Sequence, residues 1–166
     1  MDVPTAKPGY RALRKGRRSL PGHIYLVTTV VRGRYPVFHN WQAACCVCRL
    51  LGAPGTWYPH ACLAWVLMPD HFHALIRLGP AGSLSAAVRK AKSESARRVG
   101  KQTGLTGGLW ARGFHDRAVR DPRQARKAAR YIIANPLRAG LVNDVLRYSY
   151  WDAVWMRDGA GLADIW

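Results

Sequence analysis

Trp65-Val66-Leu67-Met68-Pro69-Asp70-His71-Phe72-His73-Ala74-Leu75-Ile76-Arg77-Leu78 is the stretch that decides how this chain folds. It predicts two apolar strands joined across Met68-Pro69-Asp70, the first from Tyr58 to Leu67 and the second from His71 to Leu78. Side chains two apart on a strand share a face, so His71 and His73 stand side by side while Phe72 points to the opposite side. Two imidazoles are thereby offered to one ion. A pair of ring nitrogens is too small a donor set for a good metal site, and a pair of buried rings without a ligand would need hydrogen-bond partners instead.

The composition narrows the setting. A chain of 166 residues is long enough to bury a core without disulfide staples, and 49% hydrophobic against 21% charged residues describes a globular chain. Lys and Arg number 26 against 9 Asp and Glu, a formal net charge of +17. Such an excess favours a polyanion, and nucleic acid is the usual one, because basic side chains gain affinity by releasing counterions from phosphates. No apolar run reaches the ~20 residues needed to span a bilayer, and no secretory signal is legible near the start, so a cytoplasmic, nucleoid-associated protein is expected. Cys45, Cys46, Cys48 and Cys62 lack zinc-knuckle spacing and read as reduced hydrophobes. Glu94 is the only glutamate, which argues against a nuclease built on clustered carboxylates.

Outward from the histidine strand, the remaining elements follow in order. Residues 1–20 form a basic arm, with Arg14, Arg17 and Arg18 placed to lie along a phosphate backbone, and residues 21–166 form a single domain. His23 to Val31 is a β-branched strand. Asn40 caps a helix from Trp41 to Leu51 that Gly52 and Pro54 close. Ser83 opens a second helix to about Val99, with Leu84, Ala87, Val88 and Ala91 on its apolar stripe and Arg89, Lys90, Lys92, Arg97 and Arg98 facing outward. Gly104 to Gly108 is a hinge rather than a phosphate loop. Phe114 to Arg120 is a fourth strand, and Asp121-Pro122 starts a helix that runs through Tyr131 toward Pro136. Strand, helix, strand, strand, helix, strand, helix predicts an α+β fold: a ferredoxin-like βαββαβ antiparallel sheet with helices on one face, plus the C-terminal helix carrying Tyr131.

Tyr131 and Asn135 are four apart and share a helix face. If that face meets the sheet where the histidines project, one helix brings a hydroxyl and an amide oxygen to the same ion. A phenol with a pKa near 10 is a weak nucleophile at neutral pH. It can attack a phosphodiester when a divalent ion withdraws charge from the phosphate. Without the histidines, Tyr131 would read as a half-buried aromatic and Asn135 as a helix stop.

Met68-Pro69-Asp70-His71-Phe72-His73, Trp110-Ala111-Arg112-Gly113-Phe114-His115-Asp116-Arg117 with Arg120-Asp121, and Tyr131-Ile132 with Asn135-Pro136 and Arg138-Ala139-Gly140-Leu141-Val142 resemble the HUH-class single-tyrosine transposases. Within that class the residues resemble especially the REP-associated tyrosine transposases, and Tyr150-Trp151-Asp152-Ala153-Val154-Trp155 fits the same pattern. The resemblance spans most of residues 22–155. It implies a DNA strand transferase acting on single-stranded hairpin DNA, with His71, His73 and Asn135 binding Mg²⁺ or Mn²⁺ and Tyr131 forming a transient 5′-phosphotyrosine. It also implies DNA contacts from His115, Arg117, Arg120 and Arg138, and it is compatible with a monomer or a homodimer. From the residues themselves, Arg89, Lys90, Lys92, Arg97 and Arg98 would line the substrate backbone, and an exposed member of Trp110, Trp151 and Trp155 would stack on unpaired bases. The competing expectation is a basic nucleic-acid-binding module in which Tyr131 is only a core residue.

Overall fold

The computed structural model describes residues 19–119 and 121–156, so the arm residues Arg14, Arg17 and Arg18, and also Arg120, lie outside the described residues. The hairpin anticipated around Pro69-Asp70 forms, joining β2 (Ala61–Met68) to β3 (His71–Arg77). β3 also pairs antiparallel with β1 (Ile24–Val30), which places it in the middle of the sheet. On the far side of β1 runs β4 (His115–Val119), and on the far side of β2 runs β5 (Trp151–Ala153). The sheet order is therefore β4-β1-β3-β2-β5, with every pairing antiparallel. Its first four strands have the ferredoxin-like order. β5 adds an edge strand that the reading of the sequence had not assigned, because three residues are too few for a visible alternation.

Two helices connect the strands and pack on one face. α1 (Trp41–Gly52) begins where Asn40 Oδ1 accepts from the Ala43 backbone N–H at 2.9 Å, and α3 (Leu84–Thr103) begins where Ser83 Oγ accepts from Ala86 at 3.2 Å. Both caps are the expected ones, and each satisfies an amide that the first helical turn leaves without a partner. Gly104 closes α3 in the left-handed region (φ 73°), so the first glycine of the expected hinge is a helix terminator. Between α1 and β2, the short helix α2 (Pro54–Trp57) occupies ground next to the expected second strand, which starts at Ala61 and not at Tyr58. Tyr25, Val27, Trp65, Leu67, Phe72, Ala74 and Ile76 from the sheet meet Ala43, Val47, Leu50, Leu84, Val88 and Ala91 in this core.

The opposite face is covered by α4 (Pro122–Ile133), followed at once by α5 (Asn135–Arg138). Asp121 accepts from Arg123 N–H as its cap, and Pro122 sits in the first turn where its missing N–H costs nothing. Ala125, Ala128, Ala129, Ile132 and Ile133 bury against Ala64, Val66, Met68, Leu75 and Val119. The tyrosine helix thus folds onto the sheet of its own chain. Trp110, Trp151 and Trp155 are not exposed platforms. Trp110 packs against Phe38 and Phe72 and donates to Ser95 Oγ, Trp151 donates to the Val145 carbonyl, and Trp155 packs on the second core. Among the described residues the exposed indole is Trp41.

Phe72 is wholly buried between the two histidines in sequence and meets Trp110 edge-on at 5.2 Å. Phe72→Ala should cost about 3–5 kcal/mol in urea unfolding; a loss below ~1 kcal/mol would contradict a closed core under the histidine strand.

Candidate metal and nucleophile site

The pleat of β3 puts His71 and His73 on the face that α4 covers, with ring centroids 4.8 Å apart and planes nearly perpendicular. Each ring is held by a hydrogen bond at Nδ1. His73 Nδ1 lies 2.8 Å from Thr28 Oγ1, directly across the ladder on β1. His71 Nδ1 is bonded to Asp70 Oδ1 at 2.5 Å, and Asp70 Oδ2 in turn accepts from Arg34 at 3.1 Å. The Asp70 carboxylate can only accept, so His71 Nδ1 donates and its Nε2 keeps the lone pair; at His73 the Thr28 hydroxyl can accept from Nδ1–H, and in that tautomer Nε2 of His73 is free as well.

Electrostatics agree with neutral imidazole at His73. Burial, reinforced by the charges of His71 and Arg34 and opposed by Asp70, lowers its pKa to about 4. Burial alone would raise Asp70, but the hydrogen bonds from His71 and Arg34 and their charges outweigh it and hold the carboxyl below its ordinary range. The result is an anion facing His71 and a neutral hydroxyl facing His73.

Tyr131 comes to this face from α4. Its ring lies edge-on to His73 with centroids 6.3 Å apart, and it keeps 41% of its surface exposed. Arg138 of α5 places its guanidinium 4.6 Å from the Tyr131 ring centroid. Asn135 sits where α4 gives way to α5, and its Nδ2 donates to the carbonyls of Tyr131 (2.8 Å) and Ile132 (3.3 Å). Committing the amide nitrogen to the helix end leaves Oδ1 as the unengaged end of the carboxamide. Among the described residues no three His, Cys, Asp or Glu side chains cluster in a group that could hold a metal. The third donor of the expected set is an amide, outside those residue types.

The other anticipated residues divide by face. His115 and Arg117 share the histidine face: His115 pairs with Thr28, which pairs with His73, and Arg117 pairs with Leu26 one row along. Arg89, Lys90, Arg97 and Arg98 lie on α3, in the layer on the opposite side of the sheet, so the structure does not bring them to Tyr131. Lys92 does not face outward. Its ammonium donates to the Ala111 and Gly113 carbonyls at 2.6 Å each, and burial lowers its pKa. Sequence reasoning missed Thr28, Arg34, Gln124 and Lys127. Gln124 and Lys127 stand at i−7 and i−4 from Tyr131, a spacing that was legible but unmarked among the many polar positions of α4.

A family model described as "Transposase IS200 like" matches residues 19–135. The chain belongs to that family. Over 104 residues it is 30% identical to a REP-associated tyrosine transposase of Haemophilus influenzae, covering 56% of this chain and 58% of the relative, so the match spans little more than half of that protein's length. Two solved structures share the fold. One is described as a REP-associated tyrosine transposase bound to a REP hairpin, with TM-score 0.66, 23% identity, and 87% of this chain and 83% of that chain covered. The other is a transposase-described protein of Deinococcus radiodurans R1, with TM-score 0.50, 24% identity, and 76% and 95% covered. In this IS200-like chain the matched segment contains β1 to β4, both histidines and Tyr131, and β5 lies beyond it.

Two outcomes follow. Removing the anion behind His71, as in Asp70→Asn, should weaken Mn²⁺ binding by about 10–100-fold in a titration read by electron paramagnetic resonance; unchanged affinity would show that Asp70 does not support the ligand. For His73 the folded pKa of about 4 lies below the unfolded 6.5, so in that window the unfolded chain binds a proton that the folded chain does not. In EDTA, stability should therefore be complete above pH 6.5 and fall toward pH 4 by up to roughly 3 kcal/mol, at ~1.4 kcal/mol per pH unit. His73→Gln should flatten that part of the pH–stability curve.

Proposed function

We propose that this IS200-like family member is a metal-dependent DNA strand transferase that cleaves and rejoins single-stranded hairpin DNA, with Tyr131 as nucleophile. The observation that carries the reading is the edge-on approach of the Tyr131 ring to His73, 6.3 Å between centroids, on the face that carries both histidines. The REP-hairpin complex named for a protein of the same fold supports hairpin DNA as the substrate class.

His71, His73 and Asn135 would hold Mg²⁺ or Mn²⁺. Bound there, the ion would supply charge neutralisation on a phosphate oxygen and stabilise the pentavalent transition state. The Tyr131 phenol oxygen forms the bond to phosphorus, and the bond from phosphorus to the 3′-oxygen breaks. One proton leaves the phenol and one is taken up by the departing 3′-oxygen, leaving a 3′-hydroxyl and a 5′-phosphotyrosine. The phosphoester energy is conserved in that link, so the reverse attack by a 3′-hydroxyl rejoins DNA without a nucleotide cofactor. Arg138 holds the phenol ring by its face and puts a cation beside the incoming phosphate. His115 and Arg117 line the same face, whereas Arg89, Lys90, Arg97 and Arg98 would meet only DNA that passes around the sheet edge. Arg14, Arg17, Arg18 and Arg120 are the remaining basic residues expected to contact DNA. Tyr131 and the histidines meet within one chain, so a monomer would suffice for this chemistry. Among the described residues no helix is long and apolar enough to cross a membrane; a DNA strand transferase of this kind would work in the cytoplasm, at the nucleoid.

The test is incubation with a labelled single-stranded hairpin from beside the gene, in Mn²⁺ or in EDTA, resolved on a denaturing gel. A covalent adduct should form with Mn²⁺, and Tyr131→Phe should abolish it while retaining DNA affinity within about threefold. Tight binding with no adduct in either condition would favour the non-catalytic binding module. If about six phosphates are contacted, log affinity against log salt should have a slope near −4, at ~0.7 per phosphate; a flat response would contradict a basic substrate groove.

A further inference from the structure

Beside Tyr131, on the side that leads to the β4 edge of the sheet, α4 and the sheet enclose an open cleft of about 510 Å³ lined by Leu26, Arg117, Gln124, Lys127, Ala128 and Tyr131. We propose that this cleft is a nucleotide subsite seating one unpaired nucleotide next to the scissile phosphate, with Gln124 reading its base and Arg117 and Lys127 holding its phosphate. The inference rests on the strand-transfer reading for the position of the phosphate, but it makes its own claim about which residues give sequence preference.

Three features of the lining fit one nucleotide. Its volume is in the range of small-ligand pockets and exceeds what a bare phosphate would fill. Its apolar surface is shared between layers, Leu26 coming from β1 and Ala128 from α4, and such a surface suits contact with the face of a base. Besides the Tyr131 phenol its polar groups are two cations and one carboxamide, with no carboxylate in the lining. Arg117 on β4 and Lys127 on α4 reach the cleft from opposite walls, so a bound anion is held between the layers.

Gln124 stands one turn before Lys127 and two turns before Tyr131, so the three share a helix stripe in the order base edge, phosphate, nucleophile. A carboxamide donates and accepts at once. That is the pattern needed for a bidentate contact with a base edge, adenine being the best match. Lysine and arginine hold phosphate without distinguishing sequence. The stripe therefore separates the two tasks: charge positions the strand and the amide selects the base.

A double-mutant cycle between protein and DNA tests this, measured as equilibrium binding in the Tyr131→Phe background so that it does not depend on cleavage. Hairpins carrying an abasic site at each position flanking the cleavage point are bound by the Tyr131→Phe protein and by its Gln124→Ala and Lys127→Ala derivatives. At one flanking position, loss of the base should weaken binding about five- to a hundredfold when Gln124 is present and no more than twofold when it is Ala. Lys127→Ala should weaken binding to every hairpin alike and reduce the salt slope by about 0.7, with Lys127→Arg restoring both. Equal abasic penalties with and without Gln124 at every position would overturn the subsite, even if the intact protein still forms its Tyr131 adduct. An intact subsite cycle with no adduct from the wild type would instead overturn the nucleophile assignment alone. Thermal melting of each derivative within a few degrees of its parent shows that lost discrimination is not lost fold.

Discussion

The pleat of one central strand governs this molecule. β3 is hydrogen-bonded on both edges, so its register cannot slip without turning every side chain to the wrong face. In the observed register Phe72, Ala74 and Ile76 enter the core beneath α1 and α3, and His71, His73 and Leu75 face α4. Burial of Phe72 on one side is therefore what holds two imidazoles out on the other. The turn before the strand is tied down as well: the Pro69 carbonyl accepts from Phe38 N–H, and the Asp70 carbonyl accepts from Val31 N–H. Asp70 is consequently delivered to His71 by backbone that has little freedom to move.

The second layer of control is the order of elements after the sheet. α4 crosses the histidine face because its apolar stripe, Ala125, Ala128, Ala129, Ile132 and Ile133, matches the surface left by Val66, Met68, Leu75 and Val119. Tyr131 lies on the edge of that stripe, next to Ile132, so packing of the isoleucines positions the phenol without burying it. Asn135 follows as the first residue of α5 and ties its amide nitrogen back to the last turn of α4. The proposed chemistry therefore uses the exposed edge of a helix whose other side is packed.

Much of this was legible in the residues. The β-branched run of β1, the caps at Asn40 and Ser83, the Pro-Asp turn and the His-Phe-His alternation each have a local physical cause, and each was found where expected. Less legible were features that depend on distant partners. Lys92 looks like any outward cation on a helix until the loop at Ala111 and Gly113 folds back over it. Trp110 looks like a stacking platform until Phe38 and Phe72 enclose it. Thr28 and Arg34 hold no signal in sequence, because their value lies in the cross-strand register and in a loop contact 36 positions away. The basic residues of α3 show the same limit: periodicity identifies their helix face, but not on which side of the sheet the helix packs.

The central claim is that one ion sits between the oriented histidines and within reach of the tyrosine. It is tested most directly by anomalous X-ray diffraction from crystals of the protein grown with Mn²⁺. The account predicts a single strong peak bonded to Nε2 of His71 and Nε2 of His73, with Oδ1 of Asn135 completing the protein ligands and Tyr131 adjoining the open positions. A peak bonded through other residues, or no peak at saturating Mn²⁺, would contradict it.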